Sequence, residues 1–337
     1  MYDYSTQVAA LDPAPVEQSR PRFLADNAVR LIEKDHADPD RPFFVRLDFH
    51  GPHFPNVVPE PYFSMYPPSS ISPWPNHDDS LEGKPGVQKI KQRHWGTDAY
   101  GWADWQPLVS AYFGEISLID DAIGSVLSYL DDSGLQEDTL VIMTTDHGDT
   151  IGAHGICNKG YTMYEEIYLV PLLMRWPGVI VPGSESAAYT HHFLDIFASL
   201  LDIVDQPLPE ECHGRSLVPV LRGEPPDDNW PTEAYCQFHG SHMGLYSMRL
   251  LTTDDYAYVY HTNDIDEFYD RRADPYQLRN LAEDPGQHAE ALADVKRRMV
   301  AWMAKTHDHL HNDWTVRWLT DDPELADAAP GRRRTKW

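Results

Sequence analysis

Cysteine is nearly missing from this chain, and basic residues are scarce. Cys157, Cys212 and Cys236 are the only three cysteines among 337 residues. So odd and sparse a set, with no C-x-x-C pair, implies neither a disulfide framework nor a zinc site. Bases number 27 against 53 acids, for a formal charge of -26. Neutralising phosphates requires clustered Lys and Arg, so no nucleic-acid partner is expected. The one dense basic run, Arg332-Arg333-Arg334-Thr335-Lys336, ends the chain and reads as a solvated tail. No apolar stretch approaches the ~18 residues that cross a bilayer, so no membrane partner is expected either. The opening residues, MYDYSTQVAALDPAPVEQSRPRF, lack a basic segment followed by an apolar one. They do not read as a signal peptide, which makes the protein cytoplasmic if the start is genuine. An acidic surface does not draw anions from a distance, so any anion site must work through local cations.

What is present is organised. RFLADNAVRLIEK spaces Phe23, Leu24, Ala28, Leu31 and Ile32 as one helical face. PFFVRLDF, Pro42 to Phe49, reads as a strand that stops at the turn HGPHFP. Residues 52–107 hold many prolines and aromatics with little periodicity and read as a long ordered excursion. From Val109 a second helical face (Tyr112, Ile116, Ile119, Ile123, Val126, Leu127, Leu130) runs to Gly134. TLVIMTT, Thr139 to Thr145, is a continuous apolar run, as expected of a strand buried on both faces in a parallel sheet. YLVPLLMRWPG and FLDIFASLLDIV read as a further strand and helix. Beyond Glu224-Pro225-Pro226, YSMRLLTTDDYAYVYH and DEFYDRRADP read as antiparallel strands, and QHAEALADVKRRMVAWMAKTHDHL as a late helix. The organisation is an α/β core over 1–223, then a smaller α+β subdomain with a tail over 224–337.

Two clusters could carry chemistry. The first is VIMTTDHGDTIGAHG, Val141 to Gly155, followed by Lys159. In open parallel sheets ligands bind beyond the strands' carboxyl ends, where Asp146 and His147 fall. Asp offers a hard oxygen and His a nitrogen, while Gly148, Gly152 and Gly155 let the backbone approach a ligand. Lys159 is a compact charge suited to an oxyanion. A capped turn explains the same residues. The second cluster is DFHGPHFP, where Pro52 fixes the turn and aims His53, a candidate proton donor to a leaving group. An ordinary polar loop explains His50 and His53 equally.

Taken together the segments resemble the sulfatase family of the alkaline-phosphatase superfamily. RPFFVRLDFHGPHFP, TTDHGDTIGAHG with Lys159, MYEEIYLVPLLMRWPG, HGRSLVPVLRGE and EFYDRRADPYQLRNLAEDP occur in collinear order over most of residues 20–285. The resemblance implies an α/β fold: a mostly parallel sheet flanked by helices, its N-terminal part missing, with a smaller C-terminal α+β subdomain. It implies Asp146 and His147 as metal ligands, for calcium before magnesium. It implies Lys159 and His53 as the catalytic and substrate-binding residues, with Lys159 holding the sulfate and His53 touching the sulfate or the leaving oxygen. The substrate class is a small-molecule or carbohydrate sulfate ester. Glu165 and Glu166 fit the pattern without taking a ligand role.

The departures from that family are equally specific. Its first strand ends in paired aspartates, and its C-x-P-S-R or S-x-P-S-R motif supplies the formylglycine nucleophile, followed by a further Lys and His. The three cysteines here are followed by NKGY, HGRS and QFHG, which do not fit. The expectation is a C-terminal fragment that lacks the formylglycine residue, is inactive or nearly so, and is poorly soluble because sheet edges and apolar faces lie open. Two alternatives stand beside the sulfuric-ester hydrolase. One is a phosphonate or phosphodiester hydrolase on the same scaffold. The other is a non-catalytic remnant that binds a sulfate or glycan through Lys159, His53 and Trp74, Trp95, Trp102 and Trp105. His239 and His242 are further pocket candidates.

Overall fold

Ser19 starts the first helix: its hydroxyl accepts the amide of Arg22, and Pro21 sits in the first turn, where its missing N–H costs nothing. A computed structural model describes residues 9–330 apart from 37, 39, 40 and 242. The basic run 332–336 and His242 therefore lie outside the described residues. In chain order the elements are β1 (Ala10–Asp12), α1 (Arg20–Asp35), β2 (Val57–Pro59), α2 (Gly86–Trp95), α3 (Trp102–Asp132), β3 (Val141–Thr144), α4 (Glu165–Tyr168), β4 (Leu172–Arg175), α5 (His192–Ile203) and α6 (Val218–Leu221). There follow β5 (Glu233–Phe238), β6 (Met248–Thr253), β7 (Tyr256–His261), β8 (Glu267–Asp270), α7 (Ala289–Lys305), α8 (Asp313–Leu319) and α9 (Pro323–Ala328).

The α/β class is as the sequence reads, and the three long helices fall where periodicity puts them. Their buried faces differ. α1 buries Pro21, Ala25, Ala28 and Ile32 and leaves Phe23 and Leu31 exposed. α3 buries Val109, Ala111, Gly114, Leu118 and Ala122, while Ile116 faces out. Small residues decide this, because a Cβ at Gly114 would lie 2.4 Å from the carbonyl oxygen of Tyr62. The helix backbone presses on the turn that follows β2, a closeness that bulky aliphatics forbid.

The sheet corrects two expectations. Among the described residues β1 and β2 pair in parallel, but β3 pairs antiparallel with β4, Val141 opposite Arg175 and Met143 opposite Leu173. Nor is β3 buried on both faces: Met143 is 41% exposed and its partner Leu173 59%. An apolar run marks a strand but carries no information on the direction of its neighbour. Pro42–Phe49 makes no strand ladder. Its burial still alternates residue by residue, with Phe43 and Val45 packed on Ile32 and Leu130 while Phe44 faces solvent. It is a strand in pattern that pairs with no strand among the described residues.

The C-terminal part is an antiparallel sheet in the order β5-β6-β7-β8, packed on α7 through Leu251, Tyr258, Phe268, Val295, Met299 and Met303. β5 lies in EAYCQF, which the sequence reading left unassigned. One buried ion pair ties this layer together. Arg249 of β6 grips Asp308, just past α7, with Nε to Oδ2 at 2.5 Å and Nη2 to Oδ1 at 2.8 Å, both side chains fully buried. Tyr235 and Gln237 also donate to that carboxylate, at 2.5 and 2.9 Å. Burial alone would raise the Asp308 pKa, but these donors outweigh it and hold the carboxyl at about 2.

An acid whose folded pKa is depressed contributes stability that is fully present above its unfolded value and is lost as pH falls toward the folded one. Chemical unfolding should therefore show stability draining away between about pH 4 and pH 2. Asp308→Asn should cost about 3–5 kcal/mol at neutral pH and flatten that acid limb, because it leaves the Arg249 charge buried without its partner. An Asp308→Asn protein as stable as the parent would contradict this.

Candidate active site

The site is built on one tightly folded loop, residues 146–164, between β3 and α4. Seven of its residues have positive φ: Ile151, Gly152, His154, Gly155, Asn158, Gly160 and Tyr161. So much left-handed backbone persists only where the surroundings over-determine it. They do so here. Asp149 Oδ1 accepts the amides of Ile151 and Asn158, both at 2.9 Å, closing the loop on itself. Thr150 donates to the carbonyls of Ile156 and Asn158 at 2.9 and 3.1 Å.

The excursion 52–107 wraps the loop from outside. His154 is fully buried, stacked on Tyr164 with ring centroids 3.7 Å apart, and hydrogen-bonded through Nδ1 to Asp79 at 2.6 Å. Lys84 donates to the same carboxylate at 2.5 Å. Burial pushes the Asp79 pKa up, and the bonds from His154 and Lys84 bring it net below the usual carboxylate range. Trp74 donates to the carbonyl of Ile151, and Trp102 to that of Ile71. Trp105 is fully buried, with Trp74, Trp95 and Trp102 packed around it. The aromatic excursion is therefore a clamp on the loop, not an open platform for sugar rings. His239 lies apart, against His309.

The loop delivers the expected residues. Lys159 Nζ donates directly to Nε2 of His53. His53 is aimed by its other nitrogen, since Nδ1–H donates to the carbonyl of Phe54 at 2.7 Å and leaves the Nε2 lone pair facing the ammonium. The turn that carries it is pressed on α3. A Cβ at Gly51 would lie 2.1 Å from Glu115 Oε1, and Asn56 bridges the Pro52 carbonyl to Glu115 Oε2. Burial moves the Lys159 pKa below an ordinary lysine's, and the charges of Asp149 and Asp146 only partly restore it. Lys159 and His53 thus form one unit, and Asp146 is close enough to act on Lys159 through its charge.

Asp146 and His147 follow β3 directly, their side chains 70% and 31% exposed, with Nε2 and Oδ2 at 3.5 Å. His147 is pinned like His53, Nδ1–H donating to the carbonyl of Gly148 at 2.8 Å, which frees Nε2 to bind a metal. One carboxylate and one imidazole are far short of the six to eight oxygens calcium takes. Among the described residues no group of three or more His, Cys, Asp or Glu is placed to hold a metal. The described residues do not by themselves fit the ion. A third imidazole, His192, donates to Thr144 Oγ1 at 2.8 Å and feels the charge of Asp146. The sequence reading missed it, along with His154, Asp79, Asp149 and the buried Lys91.

Gly148 is set by close approach. Its amide donates to the carbonyl of Ile167 at 2.9 Å, and a Cβ there would sit 1.9 Å from the carbonyl oxygen of Glu166. Gly148→Ala should cost about 1–3 kcal/mol, read as a lower urea midpoint. Gly124→Ala, on α3 with open space around it, should leave stability unchanged or raise it by about 0.5–1 kcal/mol. Equal effects from the two would refute the packing argument.

Known proteins similar to this chain identify its family. The sequence profile described as Sulfatase matches residues 4–206, and that described as N-sulphoglucosamine sulphohydrolase, C-terminal, matches residues 152–305. The multifunctional alkaline phosphatase superfamily protein PehA of Trinickia caryophylli is 26% identical over 92% of this chain and 63% of its own length. The N-acetylglucosamine-6-O-sulfatase of Bacteroides thetaiotaomicron is 33% identical over 52% of this chain and 32% of its own length. The solved phosphonate monoester hydrolase of Silicibacter pomeroyi superposes with a TM-score of 0.75 at 25% identity, covering 92% of this chain and 67% of that one. The chain spans less than two thirds of the length of these two curated relatives.

Proposed function

Because this chain belongs to the sulfatase family, we propose that it carries the oxyanion-binding part of a sulfuric-ester hydrolase site, with Lys159 and His53 taking up the sulfate of a small-molecule or carbohydrate ester. The observation that carries this reading is the direct contact between the Lys159 ammonium and His53 Nε2. In a protein of formal charge -26, a cation held on a neutral imidazole, not consumed by a carboxylate, remains available to an incoming anion. A sulfate oxygen arriving at Lys159 displaces Nε2, and the freed imidazole, once its Nε2 lone pair has taken a proton from solvent, stands as the imidazolium that can pass that proton to a leaving alkoxide.

None of the three cysteines offers a nucleophile. Burial pushes the Cys157 and Cys236 thiols up to about 12, far from the thiolate form. Cys212 precedes His213-Gly214, outside the family's C-x-P-S-R pattern. In this reading the chain alone binds the oxyanion and does not turn the ester over. Asp146 and His147 would supply two ligands of a divalent ion, calcium before magnesium, whose remaining oxygens the described residues do not provide. A second reading, phosphonate ester hydrolysis, is favoured by the likeness to the phosphonate monoester hydrolase, since both esters present the same tetrahedral anionic oxygens.

Calorimetric titration at pH 7 should give millimolar affinity for inorganic sulfate, falling at least about tenfold in Lys159→Ala, a loss of about 1.4 kcal/mol. An aryl sulfate with added calcium should not be hydrolysed. Sulfate affinity unmoved by Lys159→Ala, or robust turnover, would contradict the proposal. Clearly tighter binding of methylphosphonate than of sulfate would favour the second reading.

A further inference from the structure

We propose that Lys91 is a positioning residue that sets both the aim and the free charge of Lys159 from inside the fold; this rests on the reading of Lys159 as the oxyanion's cation. α2 turns Val87, Gln88 and Lys91 inward, and Lys91 is fully buried. Its ammonium donates to the carbonyl of Asn158 at 2.9 Å and to Thr162 Oγ1 at 3.3 Å. It thereby grips the residue immediately before Lys159. Asn158, in left-handed conformation at φ 65°, is held on every side. Its amide goes to Asp149, its carbonyl takes Lys91 and Thr150, and its side chain accepts the Lys159 amide at 2.8 Å. The Cα of Lys159 therefore has one direction open to it.

A neutral donor could hold those acceptors at far less desolvation cost than an ammonium. What the charge adds is competition. The groups that face Lys91 are the Asp149 carboxylate, which favours its charge, the Cys157 thiol, and Lys159, which opposes it. Asp149 therefore acts on two ammonium groups at once, and charges add: the pull on a sulfate at Lys159 is that of both ammoniums less that of Asp149. Without the charge on Lys91 the Asp149 carboxylate is left against Lys159 alone, and the net positive field that meets a sulfate is smaller.

Burial brings the Lys91 pKa down to about 8. The sign follows directly: the ammonium is present below about pH 8 and lost above it, so sulfate affinity falls as pH rises through 8. Stability moves the other way. The unfolded chain keeps its lysine protonated up to about pH 10.4, so losing the buried proton above pH 8 favours the folded state. A loss of affinity there is not a loss of structure.

Inorganic sulfate is titrated from pH 6.5 to 9.5 into the whole chain and into its Lys91→Met, Lys91→Gln and Lys159→Ala variants, with melting temperature followed in parallel. The parent should lose affinity about tenfold around pH 8. Lys91→Gln, which keeps a donor toward Asn158, should fold, bind about tenfold more weakly at pH 7, and show no step at pH 8. Lys91→Met should do the same with lower stability. Parent-like affinity and a retained step in Lys91→Gln, while Lys159→Ala abolishes binding, would overturn the role of Lys91 and leave that of Lys159 standing. Binding insensitive to Lys159→Ala would instead sink the reading of the site itself.

Discussion

The carboxylate of Asp149 is the constraint from which the site hangs. One of its oxygens takes two backbone amides, Ile151 and Asn158, and so closes a loop whose backbone would not choose this shape unaided. Its charge acts on Lys91 below and Lys159 above. Remove that closure and the left-handed residues from Ile151 to Tyr161 have no reason to stay, and Lys159 loses its direction toward His53. Charge-assisted bonds to amides are strong for their length, which suits a loop with so many costly dihedrals.

The rest of the molecule braces that arrangement by packing and hydrogen bonds. The tryptophan cluster around Trp105 presses on Gly152, where even a Cβ would come within 3.0 Å of the indole. The His154–Asp79–Lys84 chain ties the excursion to the loop and, through the carbonyl of Gln277, to the C-terminal sheet. Tyr161 adds a second tie, donating to Gly244 and accepting from Ser241. The C-terminal layer is thus a support for the loop, and its own rigidity depends on Arg249 and Asp308. Phe44, Met143, Leu173 and Phe197 stay at the surface.

Much of this was legible in the residues. Asp146-His147 at the end of an apolar run, His53 behind a fixed Pro52, and Lys159 downstream of three glycines were all identifiable; the fold puts Lys159 on His53 and Asp146 near enough for its charge to act on Lys159. The direction of β4 was not legible, because side-chain alternation and β-branching are blind to whether a neighbour runs up or down. α2 was hidden within the excursion because its inward positions include Gln88 and Lys91, so it shows no hydrophobic stripe. The inner polar chain, Asp79, Lys84 and His154, was hidden for the same reason. Each of these residues reads as surface until the fold buries it with a partner 75 to 193 positions away. β5 was overlooked because Cys236, Gln237 and Phe238 run into a histidine-bearing loop that drew a different interpretation.

The most direct test of the central claim is a crystal structure of the chain grown or soaked with sulfate. The account predicts a tetrahedral ion seated between Lys159 Nζ and a His53 that has taken up a proton at Nε2, with their direct contact opened and His53 Nδ1–H still on the Phe54 carbonyl. Sulfate bound only elsewhere, with Lys159 and His53 still in contact, would contradict it.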